Sequence, residues 1–462
     1  GLQPWEIWLS EAQERMVIAV PPENEARLRE VCARYSVEMT VIGAFTGDGR
    51  LHLCYRDMVV ADMSMEFLHK GIPRRHLRAV WAPPAHPDPD VPLTPSGADL
   101  ARDLLRILAD PNVRSKEDVV RLYDHEVQGG TVVKPFVGRY DDGPSDAAVL
   151  KPLEVPDSWR GLALSCAFNP AYGAVDPYAM AVSAIDEAVR NAVAVGADPE
   201  RIAILDNFCW GNPLLPDRLG GLVRACQGCY DGAVQYGTPF ISGKDSLNNE
   251  YTDGTTGQQV AIPPSLLISA IGIVPDVRRC CTMDLKGPDN ALYILGETRR
   301  ELGGSSYYRL HGWVGDRAPA AAEAGPATAR VLHRAMGEGL VRACHDCSEG
   351  GLGVALAEMA LAGARGAEVS LANVPLDGEE PAEGWVLFSE SNGRYLVEVA
   401  PEDVAAFEAL LEGVPYGRIG VTRDDSVLLV SGHDGEAFAL GVDELREAWR
   451  GHLNGGTGEE GE

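Results

Sequence analysis

Short apolar runs of strand length punctuate this chain and alternate with stretches of helical period. Met16-Val-Ile-Ala-Val20, Glu38 to Phe45, Leu51 to Tyr55, Met58 to Asp62, Arg201 to Leu205, Thr238 to Ser242, Leu266 to Val274 and Ala291 to Gly296 are the runs, and Ile7 to Leu9 shares their strand-like character. Leu51–Tyr55 and Met58–Asp62 read as a hairpin pair. Pro22-Glu-Asn24 opens a helix through about Tyr35, and Asp176-Pro177 supplies an N-cap and first-turn proline for a helix to about Val195. In that helix Ala181, Ala184, Ile185, Ala188, Val189 and Ala192 recur at helical spacing, a small-residue stripe suited to a sheet surface. A second long helix is expected over 217–236.

Prolines 73, 83, 84, 87, 89, 92 and 95 allow neither helix nor sheet to run far between residues 72 and 98, so this stretch reads as a linker. The resulting division is 1–70, the end of an α+β domain; 71–115, the Pro-rich linker and helices; and 116–280, a unit in which helix and strand alternate. Residues 281–452 form a last unit, and 453–462 a Gly/Glu tail expected to be disordered. The fold class is α+β or α/β. The abrupt start at Gly1, already inside structured text, suggests a processed or cut chain.

Composition narrows the function classes. Forty Lys and Arg against 68 Asp and Glu give a formal charge of −28, a field that repels phosphate polymers and anionic lipid and argues against a nucleic-acid or membrane partner. No apolar run reaches the roughly 18 residues of a membrane span, and the first 30 residues lack signal-peptide order, so a cytoplasmic location is expected. Cys226 with Cys229, and Cys344 with Cys347, show C-x-x-C spacing but are far apart in sequence; buried reduced thiols are the expectation, not zinc.

Candidate chemistry sits at strand ends. In Thr238-Pro-Phe-Ile-Ser-Gly243-Lys244-Asp245-Ser246 a glycine turn permits close backbone approach to a phosphate and Lys244 supplies charge; the alternative is a polar hairpin turn. The Walker pattern is not met, because Asp245 follows the lysine. Asp206, at the end of the preceding strand, faces a ligand crevice or closes an Asx-turn. Glu11 and Gln13 share one face if Ser10–Gln13 is a strand end, with edge polarity as the alternative. Asp346, Ser348 and Glu349 precede a glycine-rich helix start able to bind an anion or cap the helix, and Gly303-Gly304-Ser305-Ser306 is a similar turn.

Taken in order, Ile7-Trp-Leu-Ser-Glu-Ala-Gln-Glu-Arg-Met16, Tyr123-Asp-His-Glu-Val-Gln128, Asp142-Gly-Pro-Ser-Asp146, Ala203-Ile-Leu-Asp-Asn207, Gly211-Asn-Pro213, Ser242-Gly-Lys-Asp-Ser246 and His345-Asp-Cys-Ser-Glu-Gly-Gly351 resemble the large subunit of phosphoribosylformylglycinamidine synthase. The resemblance covers nearly the whole chain. It implies aminoimidazole ribonucleotide synthetase-like domains, with the end of one repeat followed by a complete second repeat. It implies ATP and Mg2+ as cofactors, and a ligase that phosphorylates the amide oxygen of formylglycinamide ribonucleotide before glutamine-derived ammonia displaces phosphate. By motif, Glu11, Ala12, Gln13 and Ser246 correspond to substrate-binding positions and Asp206 and Gly243 to ATP-binding ones; the family usually has serine where Ala12 stands. Lys244 stands where many relatives carry a magnesium-binding asparagine, and an ammonium group cannot ligate a cation. The family's catalytic histidine lies outside this chain, and neither His125 nor His345 matches it. Implied partners are the missing N-terminal half, a glutaminase subunit and a small bridging subunit. The rival readings are a non-catalytic nucleotide-binding half, or a relative such as selenophosphate synthetase or a hydrogenase-maturation protein.

Overall fold

The structure is a computed structural model and describes residues 1–86, 88–89, 96–123, 125–378, 382–432 and 435–451. Pro87, Pro92, Pro95, Asp124 and the 453–462 tail lie outside the described residues. The chain divides into two units, Gly1–Leu77 and Arg78–Glu462.

The first unit is small. Helix α1 (Pro4–Leu9) replaces the strand expected at Ile7–Leu9: Pro4 opens the first turn and Glu6 accepts from the Gln3 backbone N–H at 2.7 Å, an N-terminal device that three apolar residues alone do not reveal. Helix α2 (Glu25–Arg34) follows a short turn at Pro22–Asn24, then strands β1 (Arg50–Tyr55) and β2 (Met58–Ser64) pair as the expected antiparallel hairpin before α3 (Met65–Lys70). Met16–Val20 and Glu38–Phe45 are not strands, because among the described residues no neighbour pairs with their backbones. Their apolar side chains stay in solvent, with Met16, Val17 and Phe45 each at least 85% exposed.

In the second unit, α4 (Gly97–Leu108) carries a Ser96 N-cap and buries Leu100, Leu104, Ile107 and Leu108, so the helical part of the 71–115 segment is packed core. After α5 (Glu117–Val120) comes a six-stranded sheet of order β3-β6-β7-β12-β8-β9. Its members are β3 (Thr131–Val133), β6 (Ala148–Leu150), β7 (Gly161–Phe168), β8 (Ile202–Cys209), β9 (Phe240–Ser246) and β12 (Ser265–Val274). Two small hairpins accompany it, β4 (Phe136–Val137) with β5 (Gly143–Pro144), and β10 (Glu250–Thr252) with β11 (Gln259–Ala261). Helices α6 (Pro170–Val175), α7 (Pro177–Ala194) and α8 (Pro216–Tyr236) follow this chain order, and α7 packs on both β7 and β12. The alanine stripe of α7 is fully buried there, as its spacing predicts.

A seven-stranded sheet of order β14-β16-β13-β17-β15-β18-β19 builds the remainder. It contains β13 (Ala291–Leu295), β14 (Ala343–Asp346), β15 (Ala367–Ser370), β16 (Tyr395–Val399), β17 (Tyr416–Thr422), β18 (Val427–Ser431) and β19 (Glu436–Gly441). Helices α9 (Ser306–Leu310), α10 (Gly325–Glu338), α11 (Gly351–Gly363), α12 (Glu383–Phe388), α13 (Val404–Leu410) and α14 (Val442–Arg450) complete it. Both sheets are mainly antiparallel, with parallel pairs only at β8–β9 and β15–β18 among the described strands. No described helix is long and apolar enough to cross a membrane.

Candidate functional site

Strand β8 does not end at Asp206 but runs to Cys209, and Gly243 to Ser246 belong to the edge strand β9 rather than to a loop. The two segments are direct neighbours all the same: Asp206 stands opposite Gly243 in the parallel register, and a Cβ on Gly243 would lie 2.5 Å from Asp206 Oδ1. A side chain at 243 would therefore displace the Asp206 carboxylate. Strand alternation then splits the expected set, with Asp206, Gly243 and Asp245 on one face and Lys244 and Ser246 on the other. Lys244 Nζ donates to Ser246 Oγ at 2.5 Å. Burial, then the nearby Asp245 carboxylate, raises the Asp206 pKa.

Glu11, Ala12 and Gln13 lie in the first unit, all exposed, in the turn that follows α1. The alternation expected of a strand does not apply to them, because Glu14 turns the chain at φ +65° and Arg15 folds back to donate to the Ser10 and Ala12 carbonyls.

A denser constellation lies in the second unit, in a cavity of about 770 Å3, a size typical of small-ligand sites. Its sheet wall includes Leu164, Leu205 and Ile271, and its polar wall Asp146, Glu187, Asn191, His345, Asp346 and Glu358. None of Asp206, Gly243, Lys244 and Ser246 lines it. Asp146 precedes β6, Glu187 and Asn191 are one helical turn apart on α7, and Asp346 ends β14, so three separate chain segments converge. Sequence reading quoted Asp146 and Asp346 within motifs but gave no role to Asp146, Glu187, Asn191 or Glu358. The available signal was an acid and an amide at i and i+4 in a helix otherwise rich in alanine and valine.

Hydrogen bonding in this cluster is lopsided. Asp146 Oδ1 accepts from His345 Nδ1 at 2.8 Å and from the Asp346 backbone N–H at 2.9 Å, whereas Asp146 Oδ2 is buried with no partner. His345 Nε2 lies 3.0 Å from Glu358 Oε2. Both ring nitrogens face carboxylates, which only accept, so both carry hydrogen. Burial works against that charge, but Asp146 and then Glu358 outweigh it and hold the imidazole pKa well above its usual value. Asp346 Oδ2 accepts from Arg190 Nη1 at 3.1 Å and from Ser348 Oγ. Arg190 also donates from Nε to Asp186 at 2.5 Å and from Nη1 to the Cys347 carbonyl at 2.8 Å. Asn191 Nδ2 donates to the Cys166 carbonyl at 3.3 Å; turned the other way, the amide N–H reaches both Asp346 oxygens at 3.3 Å.

Negative charge dominates the cavity. Burial, then Glu349 and Asp346, pushes the Glu187 pKa well up, and burial followed by Glu390 lifts Glu349 to about 7. Atoms of Asp146, His345 and Asp346 gather within 4.8 Å, a spacing that fits one cation. The imidazole nitrogens are already committed to carboxylates, which leaves the oxygens of Asp146 and Asp346 in the cluster, with Glu187 and Asn191 lining the same cavity. An all-oxygen set suits a hard divalent ion such as magnesium rather than zinc. The unpartnered Asp146 oxygen is the observation that this fit explains. The ten cysteines are free thiols, and burial raises the pKa of Cys229, Cys280 and Cys281 to about 12, which suits packing rather than nucleophilic roles.

Sequence comparison decides the family. The pattern described as AIR synthase related protein, C-terminal domain, matches residues 1–55 and 287–431, and its N-terminal companion matches 144–274. The chain belongs to the AIR synthase related family. Its two sheets are therefore aminoimidazole ribonucleotide synthetase-like domains. Within that family the chain is similar to "Phosphoribosylformylglycinamidine synthase subunit PurL" of Anaeromyxobacter sp. (strain K), at 35% identity over 97% of this chain. The match takes in 58% of that relative, so the chain spans a little over half of its length. In fold it resembles "T. maritima PurL complexed with FGAR", with a TM-score of 0.57, 18% identity, and coverage of 75% of this chain and 53% of that one. "T. maritima PurL complexed with ATP" aligns with a TM-score of 0.54 and 18% identity, covering 76% and 52%.

Proposed function

We propose that this chain is the later part of a phosphoribosylformylglycinamidine synthase large subunit and takes part in the ATP-dependent conversion of formylglycinamide ribonucleotide to its amidine, a step of purine biosynthesis. One observation carries the reading: in a chain 35% identical to such a subunit, a ligand-sized cavity gathers Asp146, Glu187, Asn191 and Asp346, the first with an unsatisfied carboxylate oxygen. That is the environment a nucleotide phosphate arrives at together with its divalent cation. Asp146, Glu187, Asn191 and Asp346 would hold magnesium, which when bound supplies charge neutralisation on phosphate oxygens. Arg190 and Ser348 fix the Asp346 carboxylate, and the long helix α7 holds Glu187 and Asn191 in place.

Asp206 and Gly243 are proposed nucleotide contacts. Ser246 is a proposed substrate contact, as are Glu11, Gln13 and the Ala12 backbone; Ala12 offers no hydroxyl. Lys244 is assigned to phosphate rather than to metal, since its ammonium has no lone pair. In the reaction the substrate's amide oxygen attacks the γ-phosphorus of ATP and ADP leaves; ammonia then adds to the activated carbon and phosphate departs. The histidine that serves this chemistry in the family is expected in the part of the relatives that the match does not take in. The chain accordingly works together with that complementary portion, a glutaminase subunit and a small bridging subunit. Apolar side chains left in solvent, such as Met16 and Phe45 in the first unit and Phe168 and Ile241 on the six-stranded sheet, support a larger assembly.

The test is amidine and ADP formation from ATP, formylglycinamide ribonucleotide and ammonium, with the chain alone and with the complementary portion of a relative. Activity is expected only in the second case. Melting is measured in parallel, and Mg-ATP at 100 times its Kd should stabilise the chain by about 2.7 kcal/mol. Absence of any Mg-ATP shift, together with no activity in either mixture, refutes the assignment.

A further inference from the structure

We propose that His345 and Glu358 are positioning residues which prepare Asp146 as a cation ligand, with Glu358 bracing the imidazole and the imidazole saturating one Asp146 oxygen so that the other faces the cation. The inference rests on the cation site proposed above and adds residues that do not themselves touch the ion.

Three facts carry it. Asp146 has a side chain 1% exposed, and its two oxygens are treated oppositely: Oδ1 takes two hydrogen bonds and Oδ2 takes none. An unpaired buried carboxylate oxygen is costly, and a carboxylate free to rotate would share its donors between both oxygens. Here rotation is prevented, because one donor is the backbone N–H of Asp346 and the other is an imidazole held from behind. Glu358 is the second fact. It reaches from α11, thirteen residues beyond His345, to accept from Nε2 at 3.0 Å, and with a side chain 13% exposed it has little room to move elsewhere. A carboxylate behind a histidine fixes the ring's orientation and accepts its second N–H. The third is that Asp346, the next residue, is fixed by different groups, Arg190 and Ser348, so the two aspartates are set independently. The order Glu358–His345–Asp146 is thus an outer shell behind one ligand oxygen, built from α11 and β14.

Manganese binding to the 462-residue chain, by calorimetry and by the electron paramagnetic resonance of free Mn2+, tests this without any reaction. Asp146→Asn should abolish binding. Glu358→Ala should weaken it roughly 10- to 100-fold, the usual effect of losing an outer-shell partner, while Glu358→Gln, which still offers an oxygen to Nε2–H, should recover most of the affinity. Rescue by glutamine separates positioning from a merely structural role. If Glu358→Ala does not fold, His345→Gln keeps the donor towards Glu358 and loses the one to Asp146, and the same 10- to 100-fold weakening is expected. Wild-type affinity in folded Glu358→Ala or His345→Gln, with binding abolished in Asp146→Asn, overturns the positioning role but leaves the site standing. Wild-type affinity in Asp146→Asn overturns the site itself.

Discussion

Replacing Arg190 by methionine tests whether the carboxylates of the cavity are held by one buried cation. Arg190 is 2% exposed and joins Asp186 on its own helix to Asp346 at the end of β14, at 2.5 and 3.1 Å. Methionine keeps the bulk and the apolar stem but leaves two buried carboxylates without their counter-charge. Breaking one partner of a buried pair costs about 3–5 kcal/mol, well above the worth of an exposed ion pair. For a unit spanning Arg78–Glu462 that corresponds to a melting temperature lower by about 4–6 °C. The sign with pH is fixed by Asp346, whose pKa burial already raises and Arg190 partly restrains. Without Arg190 it rises further, so the folded variant holds a proton that the unfolded chain releases as pH increases. The penalty must therefore be larger at pH 8 than at pH 5. Urea unfolding of both proteins at the two pH values measures it. A penalty under about 1 kcal/mol that does not change with pH would show that the guanidinium is not the counter-charge of this cluster.

Other outcomes follow from single contacts. Gly243→Ala places a methyl 2.5 Å from Asp206 Oδ1 on an exposed edge strand; ATP affinity by titration calorimetry should fall at least tenfold with the circular dichroism unchanged, and unchanged affinity removes both residues from nucleotide binding. Glu349, lifted to about 7 by burial and Glu390, should make stability fall as pH rises between about 4.5 and about 7. That shift corresponds to about 3 kcal/mol at most, and Glu349→Gln should flatten the slope in urea titrations. Tyr172→Phe removes the 2.6 Å hydrogen bond to Glu390 and should cost about 1–3 kcal/mol of unfolding free energy; a neutral result would mean water replaces the hydroxyl.

Much of the fold was legible because its signals are local. The Asp176-Pro177 start of α7, its alanine stripe and the β1–β2 hairpin are written in neighbouring residues, and the structure reproduces all of them. Ile7–Leu9 misled because three apolar residues fit helix or strand equally, and the deciding cap lies upstream at Gln3 to Glu6. Gly243–Ser246 read as a loop because an edge strand exposed on both faces has no apolar alternation to show. The adjacency of Asp206 and Gly243 was readable from two consecutive strand-like segments. The cavity was not, since Asp146 and His345 are 199 positions apart and Arg190 and Asp346 156, separations that no local pattern encodes.

The glycine-rich start of α11, legible in sequence as an anion cradle or a cap, already has its anion. Glu390 Oε1 accepts from the Gly350 and Ser306 backbones at 2.6 and 2.9 Å, while Oε2 takes the Tyr172 hydroxyl. One side chain thus rivets a loop, two helix starts and a tyrosine from beneath the other sheet. Separating the two sheets on this side of the molecule would therefore cost a hydrogen bond to a single carboxylate that three donors hold at once.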